Sequence, residues 1–403
     1  MLSYRRAMPN LSRRAFLAST AAVGLLRTAG RHRVTALDAF HTPLLPTSRF
    51  GTSQFQDDFD RARWRWFGPF SQISGSVVVR IRTDSGITGY GLGGDGGAAV
   101  YIIEHHLHDL QVGVDPLNIE MLWDQMHGST AFYGRRGLGT MAISGIDLAL
   151  WDIAGKAAGL PVYKLIGGAT KPKVPVYFTS PDVKLGLELG CKAFKLPVDA
   201  AEPGREGMKG IVDRVGQARS LIGPDADLMI DCLARFDVPY TLELAERLRP
   251  YRVRWIEEPL HPDDTAGYEA LCAQVRGTLI ASGEHEYTRF GFADLIRHKA
   301  VQVLQPDISW SGGLTELRRI AVLADRAALP LVPHRGGSRF CIHFIVATPS
   351  CELAESFGIG EKGNELMQEL TPRFEKGFAY PPEGPGFGVD INDALLKKVA
   401  VAV

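Results

Sequence analysis

The sequence predicts an α/β protein, built as a TIM-like barrel of seven to eight β/α units behind an α+β N-terminal capping domain. The first observation is that residues 171–363 alternate short apolar segments with amphipathic ones, at about the spacing of one β/α unit. The second is that residues 34–170 instead combine strand-like segments with a long helical stretch. The third is the length, because 403 residues with 45% apolar side chains suffice for one large barrel with an addition.

The capping domain is predicted from its turn and its helical periodicity. Val34–Phe40 and Ser76–Thr83 are strand-like, and Asp84-Ser85-Gly86 is typical of a hairpin turn. The return strand is expected at Ile87–Gly91. Apolar residues at helical spacing follow, most clearly through Met141–Ala158, so the rest of this domain is predicted to be helical.

Eight strands are expected in the barrel, with helices between them. They are Val174–Thr179, Ala193–Val198, Leu228–Asp231, Arg254–Glu257, Leu279–Gly283, Val301–Gln305, Leu331–Pro333 and Cys351–Glu355. In a parallel barrel the carboxyl ends of all strands meet at one mouth, where active sites form. The remaining residues, 364–403, contain a stretch rich in proline and glycine and are predicted to pack back on the capping domain.

Charge and cysteine usage restrict the partners. The 45 basic residues balance the 45 acidic ones, so neither nucleic acid nor an anionic membrane surface is indicated as a partner. The five cysteines are dispersed and lack the close pairs of a disulfide framework or a zinc site. A small molecule is therefore the expected partner.

The N-terminus has the pattern of an export signal. Arg13 and Arg14 precede an apolar run from Ala15 to Leu26, which is too short to span a bilayer. We interpret residues 1–33 as a twin-arginine signal and expect an exported, periplasmic protein without stable membrane insertion. The alternative is a chance arginine pair in front of an alanine-rich helix.

Three consecutive predicted strands end in an acid. These acids are Asp231, Glu257 and Glu284, at intervals of 26 and 27 residues. Because adjacent strand ends converge on the mouth of a barrel, the three carboxylates are expected to meet there. Converging carboxylates repel one another unless a cation lies among them, and an all-oxygen ligand set suits Mg²⁺. The alternative for each acid is a helix cap or an ion pair with arginine, but three in succession favour the metal.

A fourth acid and a histidine are predicted at the same mouth. Asp307 and His334 follow the next two predicted strands, so the two side chains are expected to be neighbours. A carboxylate that holds one imidazole nitrogen fixes the tautomer and raises the basicity of the other nitrogen. We therefore predict that His334 is a general base facing the metal. Taken alone, a histidine on a strand is more often a hydrogen-bonded core residue.

These residues resemble those of the enolase superfamily, mandelate racemase subgroup, over nearly all of the chain after residue 33. The three acids and the Asp307–His334 pair match its metal ligands and base, and AISGIDLALWDIAGK at residues 142–156 matches its signature segment. Within the superfamily, segments such as Phe132–Gly137 and Gly312–Thr315 are similar to those of L-rhamnonate dehydratases.

The resemblance implies a hydro-lyase that uses Mg²⁺ to dehydrate a sugar acid, an L-rhamnonate-like aldonate, to a 2-keto-3-deoxy acid. The implied steps are abstraction of the α proton, formation of a metal-stabilised enediolate and loss of the β-hydroxyl. The family also implies a homo-oligomer.

The resemblance further implies roles for three residues in the barrel. Lys195 matches the first lysine of the family's Lys-x-Lys pair and would add positive charge near the substrate carboxylate, whereas the second position is Pro197. His285 resembles a family residue at the polyol end of the site, with an ordinary hydrogen-bonded histidine as the alternative. Glu355 matches an acid that donates to a substrate carboxylate oxygen, so burial is expected to raise its pKa, with a plain salt bridge as the alternative.

Substrate specificity is expected from loops of the capping domain. His41, Arg49 and Arg65 are the candidates for substrate binding. A guanidinium can donate to two oxygens of a polyhydroxylated acid at once, which suits such a substrate. For each of these residues, a solvated surface charge is the alternative.

Two other functions stay open at this stage. One is a racemase or epimerase of a 2-hydroxy acid, which Pro197 disfavours because a second base is needed opposite His334. The other is a non-catalytic exported protein that binds a sugar acid.

Two patterns are not interpreted as sites. Gly91–Gly96 satisfies the dinucleotide pattern G-x-G-x-x-G, but it follows a hairpin rather than the first strand of a βαβ unit. The neighbouring residues His105, His106 and His108 have no carboxylate or cysteine partner at metal-ligand spacing.

Overall fold

The structure, a computed structural model, describes residues 32–42, 75–94, 96–198, 204–358 and 365–401. The predicted export signal up to residue 31 lies outside the described residues, and so do the candidate substrate-binding residues Arg49 and Arg65.

The N-terminal domain contains a three-stranded antiparallel sheet in which β2 lies between β1 and β3. The strands are β1 (Val34–Thr42), β2 (Ser76–Thr83) and β3 (Thr88–Gly94). The predicted turn at Asp84-Ser85-Gly86 joins β2 to β3. Both faces of β2 are covered, because Val77 and Val79 pack in the core of this domain while Val78 packs in the barrel core.

Helices cover this sheet. They are α1 (Gly96–Ile102), a π-helical turn (Ile103–Leu107), α2 (His108–Gln111), α3 (Ile119–Thr130), α4 (Leu138–Ala158) and α5 (Val162–Leu165). Helix α4 is long and apolar enough to cross a membrane by composition, but 83% of its most apolar window is buried inside the protein. It is the central core helix of the domain.

Close packing between α4 and β3 explains the glycines of the segment that matches the dinucleotide pattern. A Cβ atom at Gly91 would lie 2.0 Å from the carbonyl oxygen of Gly145, and one at Gly93 would lie 2.5 Å from that of Met141. Real Cβ atoms do not approach other heavy atoms so closely. The glycines of β3 therefore allow the helix backbone to lie directly on the strand.

The second domain is a closed parallel barrel, as predicted. Its regular strands are β4 (Val174–Thr179), β5 (Ala193–Pro197), β6 (Asp227–Asp231), β7 (Trp255–Glu257), β8 (Leu279–Ser282), β9 (Val303–Leu304) and β10 (Ala354–Ser356). Neighbours from β4 to β9 pair in parallel, and β10 pairs with β4 to complete the circle.

The remaining barrel segment, residues 331–334, lies between β9 and β10. Isolated bridges join Leu331 to Leu304 and His334 to Asp307. A regular strand was expected here, but Pro306 and Pro333 have no N–H to donate, so the ladder is interrupted. The segment still brings His334 beside Asp307.

Helices surround the barrel. They are α6 (Lys184–Glu188), α7 (Gly204–Ile222), α8 (Val238–Leu248), α9 (Thr265–Gln274), α10 (Thr288–Arg297), α11 (Gly313–Ala327) and α12 (Arg339–Ala347).

One apolar residue from each of the eight barrel segments forms a buried layer. This layer consists of Tyr177, Ala193, Met229, Trp255, Ala281, Val303, Val332 and Leu353. Along a strand, every second side chain points to the same face. The next inward-facing residue on each segment is therefore two positions further along, one layer nearer the carboxyl-end mouth.

The C-terminal segment contacts both domains. It contains α13 (Glu365–Leu370), β11 (Arg373–Glu375), β12 (Phe378–Tyr380) and α14 (Asp393–Val399). Strand β12 pairs antiparallel with barrel strand β4. On the N-terminal domain, Phe387 N donates to Asp152 at 2.9 Å, and Lys156 Nζ donates to the carbonyl of Val389 at 3.1 Å.

Candidate active site

A polar layer lies directly above the apolar layer of the barrel. On seven of the eight segments, the residue two positions beyond the apolar one is polar. These residues are Thr179, Lys195, Asp231, Glu257, Gln305, His334 and Glu355. All seven are buried or nearly so, with relative exposures between 1% and 9%. The two-residue repeat thus places most of the predicted site on one level.

The eighth position of this layer is Gly283, and the acid is the next residue, Glu284. Gly283 has φ +134°, a conformation that favours glycine. The strand β8 ends at Ser282, so the chain is free to leave the regular alternation at this point. Glu284 is 5% exposed and joins the other acids at the mouth.

Asp231, Glu257 and Glu284 converge as predicted. Each offers one carboxylate oxygen, and these oxygens lie within 4.8 Å of one another. Glu257 Oε2 accepts hydrogen bonds from Trp255 Nε1 at 2.9 Å and Gln305 Nε2 at 2.6 Å, which hold the carboxylate in place.

The electrostatics of these three acids favour a bound cation. Burial raises the pKa of Asp231 to about 6 and the pKa of Glu257 to about 7, although Lys195 acts in the opposite direction. Burial also raises the pKa of Glu284. Burial makes the ionised form of these carboxylates unfavourable, and a divalent cation would compensate their negative charges. Three carboxylates form an oxygen donor set of the kind that binds Mg²⁺.

Lys195 is one of the residues of the polar layer and is 1% exposed. Its Nζ is 2.8 Å from Glu355 Oε1 and 3.4 Å from Asp231 Oδ2, and it also donates to Glu257. Burial alone would lower the pKa of Lys195, but Glu257 and Glu355 outweigh burial and raise the pKa well above its usual value. The lysine therefore carries a positive charge that is shared among acids from three strands.

His334 and Asp307 form the predicted pair. His334 Nδ1 is 2.8 Å from Asp307 Oδ2, while its Nε2 is 3.5 Å from Glu284 Oε2. Asp307 is held in turn, because its Oδ1 accepts from the backbone N of Ser309 at 2.6 Å and from its hydroxyl at 2.5 Å. Burial alone would lower the pKa of His334, but Glu284 and Asp307 outweigh it and raise the pKa to about 9.

His285 also faces Glu284, but its main partner is a residue that the sequence analysis missed. His285 Nδ1 is 2.8 Å from Glu258 Oε2 and 3.7 Å from Glu284 Oε1. Glu258 is 1% exposed and has φ +40°. Burial alone would lower the pKa of His285, but Glu258 outweighs it and raises the pKa to about 10. His285 thus lies near one carboxylate oxygen of Glu284, and His334 lies near the other.

The expectation of a neutral Glu355 is wrong for this structure. Its Oε1 accepts from Thr179 at 2.6 Å, and its Oε2 accepts from the backbone N of Arg335 at 2.9 Å. Burial alone would raise the pKa of Glu355, but Lys195 and His334 outweigh burial and lower it to about 2. Glu355 is therefore an ionised acid that positions Lys195, and the salt-bridge alternative describes it.

Trp310 is a further site residue that the sequence analysis did not identify. Its ring is 3% exposed and lies 5.3 Å from the ring of His334 and 5.6 Å from that of His285. The guanidinium of Arg335 lies over the Trp310 ring at 5.0 Å. The position of Trp310, three residues after a strand-end acid, would have been the available signal.

Among the predicted substrate-binding residues, only His41 is described. It lies near the end of β1 and is half-buried, and its carbonyl accepts a hydrogen bond from Val401 N at 3.0 Å. In the described part of the chain, the candidate metal groups are all at the barrel mouth. The histidines of the first domain, His105, His106 and His108, are not among them.

Comparison with known proteins agrees with the fold. Residues 71–167 match the family described as mandelate racemase / muconate lactonizing enzyme, N-terminal domain, and residues 183–395 match the family described as enolase C-terminal domain-like. A relative from Caldivirga maquilingensis with the name "Putative L-rhamnonate dehydratase" is 39% identical over 333 residues, which is 81% of this chain and 83% of that protein.

Solved structures are similar over nearly the whole chain. The crystal structure of L-rhamnonate dehydratase from Gibberella zeae is 32% identical, with a TM-score of 0.78 over 91% of this chain and 96% of that chain. A structure of rhamnonate dehydratase from the same organism complexed with Mg is 30% identical, with a TM-score of 0.76 and the same coverage. In this chain, the three converging carboxylates form an oxygen donor set that fits the same ion.

The two matched domains lie in the order that the fold shows, and they account for most of the chain. The chain therefore belongs to the enolase superfamily, in the group of mandelate racemase and muconate lactonizing enzyme, and is an enzyme of that superfamily.

Proposed function

We propose that this enzyme dehydrates a sugar acid, an aldonate of the L-rhamnonate kind, to a 2-keto-3-deoxy acid. The observation that carries the proposal is the position of His334. Its Nδ1 is held by Asp307 at 2.8 Å, and its Nε2 points to the carboxylate trio, 3.5 Å from Glu284 Oε2. A base in that position can reach the α carbon of an acid whose carboxylate lies at the trio. The relatives named as rhamnonate dehydratases support the choice of substrate class.

The first step is removal of the α proton. A proton next to an ionised carboxylate is weakly acidic, because its loss adds negative charge to a group that is already negative. Mg²⁺, which we propose to be held by Asp231, Glu257 and Glu284, would stabilise that charge. Lys195 adds a buried positive charge on the same level of the barrel.

His334 is proposed to accept this proton through Nε2. Asp307 keeps the proton of the neutral ring on Nδ1, so that Nε2 has a free lone pair. In the structure, the acids around His334 favour its protonated form. A divalent cation at the trio would compensate the Glu284 charge and lower the pKa of His334, so that the ring would be neutral and able to accept a proton.

The second step is loss of the β-hydroxyl. His334 now carries the abstracted proton and can donate it to the leaving hydroxyl on the same face, so that water departs and the C2–C3 double bond forms. The resulting enol tautomerises to the 2-keto-3-deoxy acid. One histidine thus serves as base and then as acid.

Racemisation is the second candidate, and the residues of β5 argue against it. A two-base mechanism needs a base opposite His334, and Pro197 occupies the position of a second lysine. Lys195 is charged and bound to three acids, so it is a poor base as it stands.

The decisive experiment is a screen of stereoisomeric aldonates for 2-keto-3-deoxy product, with Mg²⁺ and with a chelator. We expect product from at least one aldonate, and loss of product with the chelator. In D₂O, exchange of the α proton without loss of water would instead favour racemisation, and metal-dependent binding without product would favour a non-catalytic binding protein.

His334→Asn tests the assignment of the base. We expect the dehydration rate to fall about 100-fold or more, because general acid–base catalysis typically contributes that much, while Mg²⁺ binding stays near normal. The matched control is His298→Asn, at the exposed position directly after α10. A His334→Asn rate above one tenth of wild type would contradict the assignment.

A further inference from the structure

Arg335, the residue directly after the proposed base, has an unusual backbone. Its φ is +51°, in the left-handed region where glycine is favoured and other residues are strained. The strained turn is held in place, because Arg335 N donates to Glu355 Oε2 at 2.9 Å and its carbonyl accepts from Ser338 N at 3.1 Å. Strained residues of this kind cluster at functional sites, where the surrounding structure maintains them.

The strained backbone directs the side chain over the wall of the site. The Arg335 guanidinium lies 5.0 Å from the centre of the Trp310 ring, and the same ring lies within 6 Å of His334 and His285. Stacking on an aromatic ring orients a guanidinium and leaves its N–H groups free to donate. Arg335 is half-buried, so these donors are within reach of a bound molecule.

The guanidinium of Arg335 has no hydrogen bond or ion pair within the described residues. Three acids of the mouth have other partners. Glu355 pairs with Lys195, and Glu258 and Asp307 pair with the two histidines. A partly buried arginine with free donors can give them to water or to acceptor oxygens of a bound molecule. In a site that takes a sugar acid, the substrate has many such oxygens.

We propose that Arg335 is a specificity-determining residue that donates to oxygens of the substrate chain beyond the reacting carbons. This inference rests on the proposed function. The substrate carboxylate is assigned to the trio, and the α and β carbons are assigned to His334. Arg335 follows His334 and stacks on the ring beside it, so the next part of the sugar chain is what it can contact. The oxygens could belong to hydroxyl groups or to a terminal carboxylate, and a guanidinium binds both.

The test combines variants of Arg335 with substrates of different length. The variants are Arg335→Met, which keeps an apolar chain on Trp310, and Arg335→Gly, which suits φ +51°. The matched control is Arg318→Met, because Arg318 also stacks on a tryptophan, Trp151, at 5.3 Å but lies away from the site. Binding to the Mg²⁺-loaded enzyme is measured by calorimetry, using four-carbon and six-carbon aldonates of the same C2 and C3 configuration and the matching six-carbon aldarate.

We expect both Arg335 variants to weaken binding of the six-carbon aldonate about 10- to 100-fold, the usual cost of losing hydrogen bonds from a charged donor. Binding of the four-carbon aldonate should change less than threefold, and Arg318→Met should change neither. Tighter wild-type binding of the aldarate, lost in the variants, would assign the oxygens to a carboxylate; equal binding of both six-carbon acids would assign them to hydroxyls.

Stability separates a functional arginine from a structural one. Arg335→Gly should melt at the same temperature as wild type or higher, because glycine relieves the strained φ. A lower melting temperature together with unchanged binding would overturn the inference, as would an equal loss of affinity for short and long aldonates. If no acid gives a 2-keto-3-deoxy product while the length-dependent binding persists, the proposed function fails and the role of Arg335 in binding stands.

Discussion

Asp147 is a buried acid that joins the two domains and whose charge should control stability. It lies on α4 of the first domain and is fully buried. Its Oδ2 accepts from Thr315 N at 3.0 Å and its Oδ1 from the Thr315 hydroxyl at 2.5 Å, at the start of barrel helix α11. Burial raises the pKa of Asp147 from 3.8 to about 7, although the hydrogen bonds from Thr315 act in the opposite direction.

The raised pKa of Asp147 makes the folded protein less stable as the pH rises. Because the folded protein holds the Asp147 proton more tightly than the unfolded chain does, stability falls as the pH rises from the unfolded value of 3.8 towards about 7. Between pH 5 and pH 8 this linkage amounts to about 2.6 kcal/mol, obtained from the two pKa values. Asp147→Asn cannot ionise, so this part of the pH dependence should disappear.

The assay is urea unfolding of wild type and Asp147→Asn, followed by tryptophan fluorescence at several pH values. Relative to wild type, the variant should gain about 2.6 kcal/mol of unfolding free energy between pH 5 and pH 8. Asp109→Asn, at an exposed position in the same domain, controls for the substitution itself. Parallel profiles for wild type and Asp147→Asn would refute the reasoning, because they would mean that burial does not shift this acid.

Three further predictions address other parts of the molecule. Burial lowers the pKa of His343 to about 3, so the stability present above pH 6.5 should be lost on acidification. The loss should be about 2.5 kcal/mol between pH 7 and pH 4.5. His343→Asn should abolish it, which acid titrations of unfolding would check. Gly313→Ala should destabilise the protein far more than Gly277→Ala. Both glycines have φ near +80°, but only at Gly313 would the added Cβ meet another atom closely, 2.3 Å from Asp147 Oδ2. Urea unfolding of both variants checks this. Glu257→Gln should lose Mg²⁺ binding in calorimetric titration, and unchanged affinity would remove Glu257 from the proposed ligands.

The barrel and the carboxylate trio could be predicted because both depend on local patterns. Asp231 and Glu257 lie two residues beyond an apolar residue of their own strand, so alternation alone turns them inward. Gln305 follows the same rule and could have been found with it. The seventh barrel segment was expected as a regular strand, and prolines that cannot donate interrupt its ladder.

Residues that leave the regular alternation were harder to predict. Glu258 directly follows Glu257, so alternation would turn it away from the site. Its φ of +40° and the hydrogen bond to His285 instead bring it to the mouth. Glu284 was found only because it was the acid nearest to a strand end, although Gly283 occupies the regular inward position.

The amino-acid sequence by itself determined which side chains of the regular strands face the barrel mouth, because alternation along a strand acts over two residues and needs no knowledge of distant partners. Only the tertiary structure decided the protonation states of these side chains and the residues with which they pair. Glu355 is ionised because Lys195, from another strand, lies 2.8 Å away, and Arg335 faces Trp310 because a left-handed turn directs it there. Electrostatic energies depend on distance and burial, and both are set only when segments far apart in the chain come together.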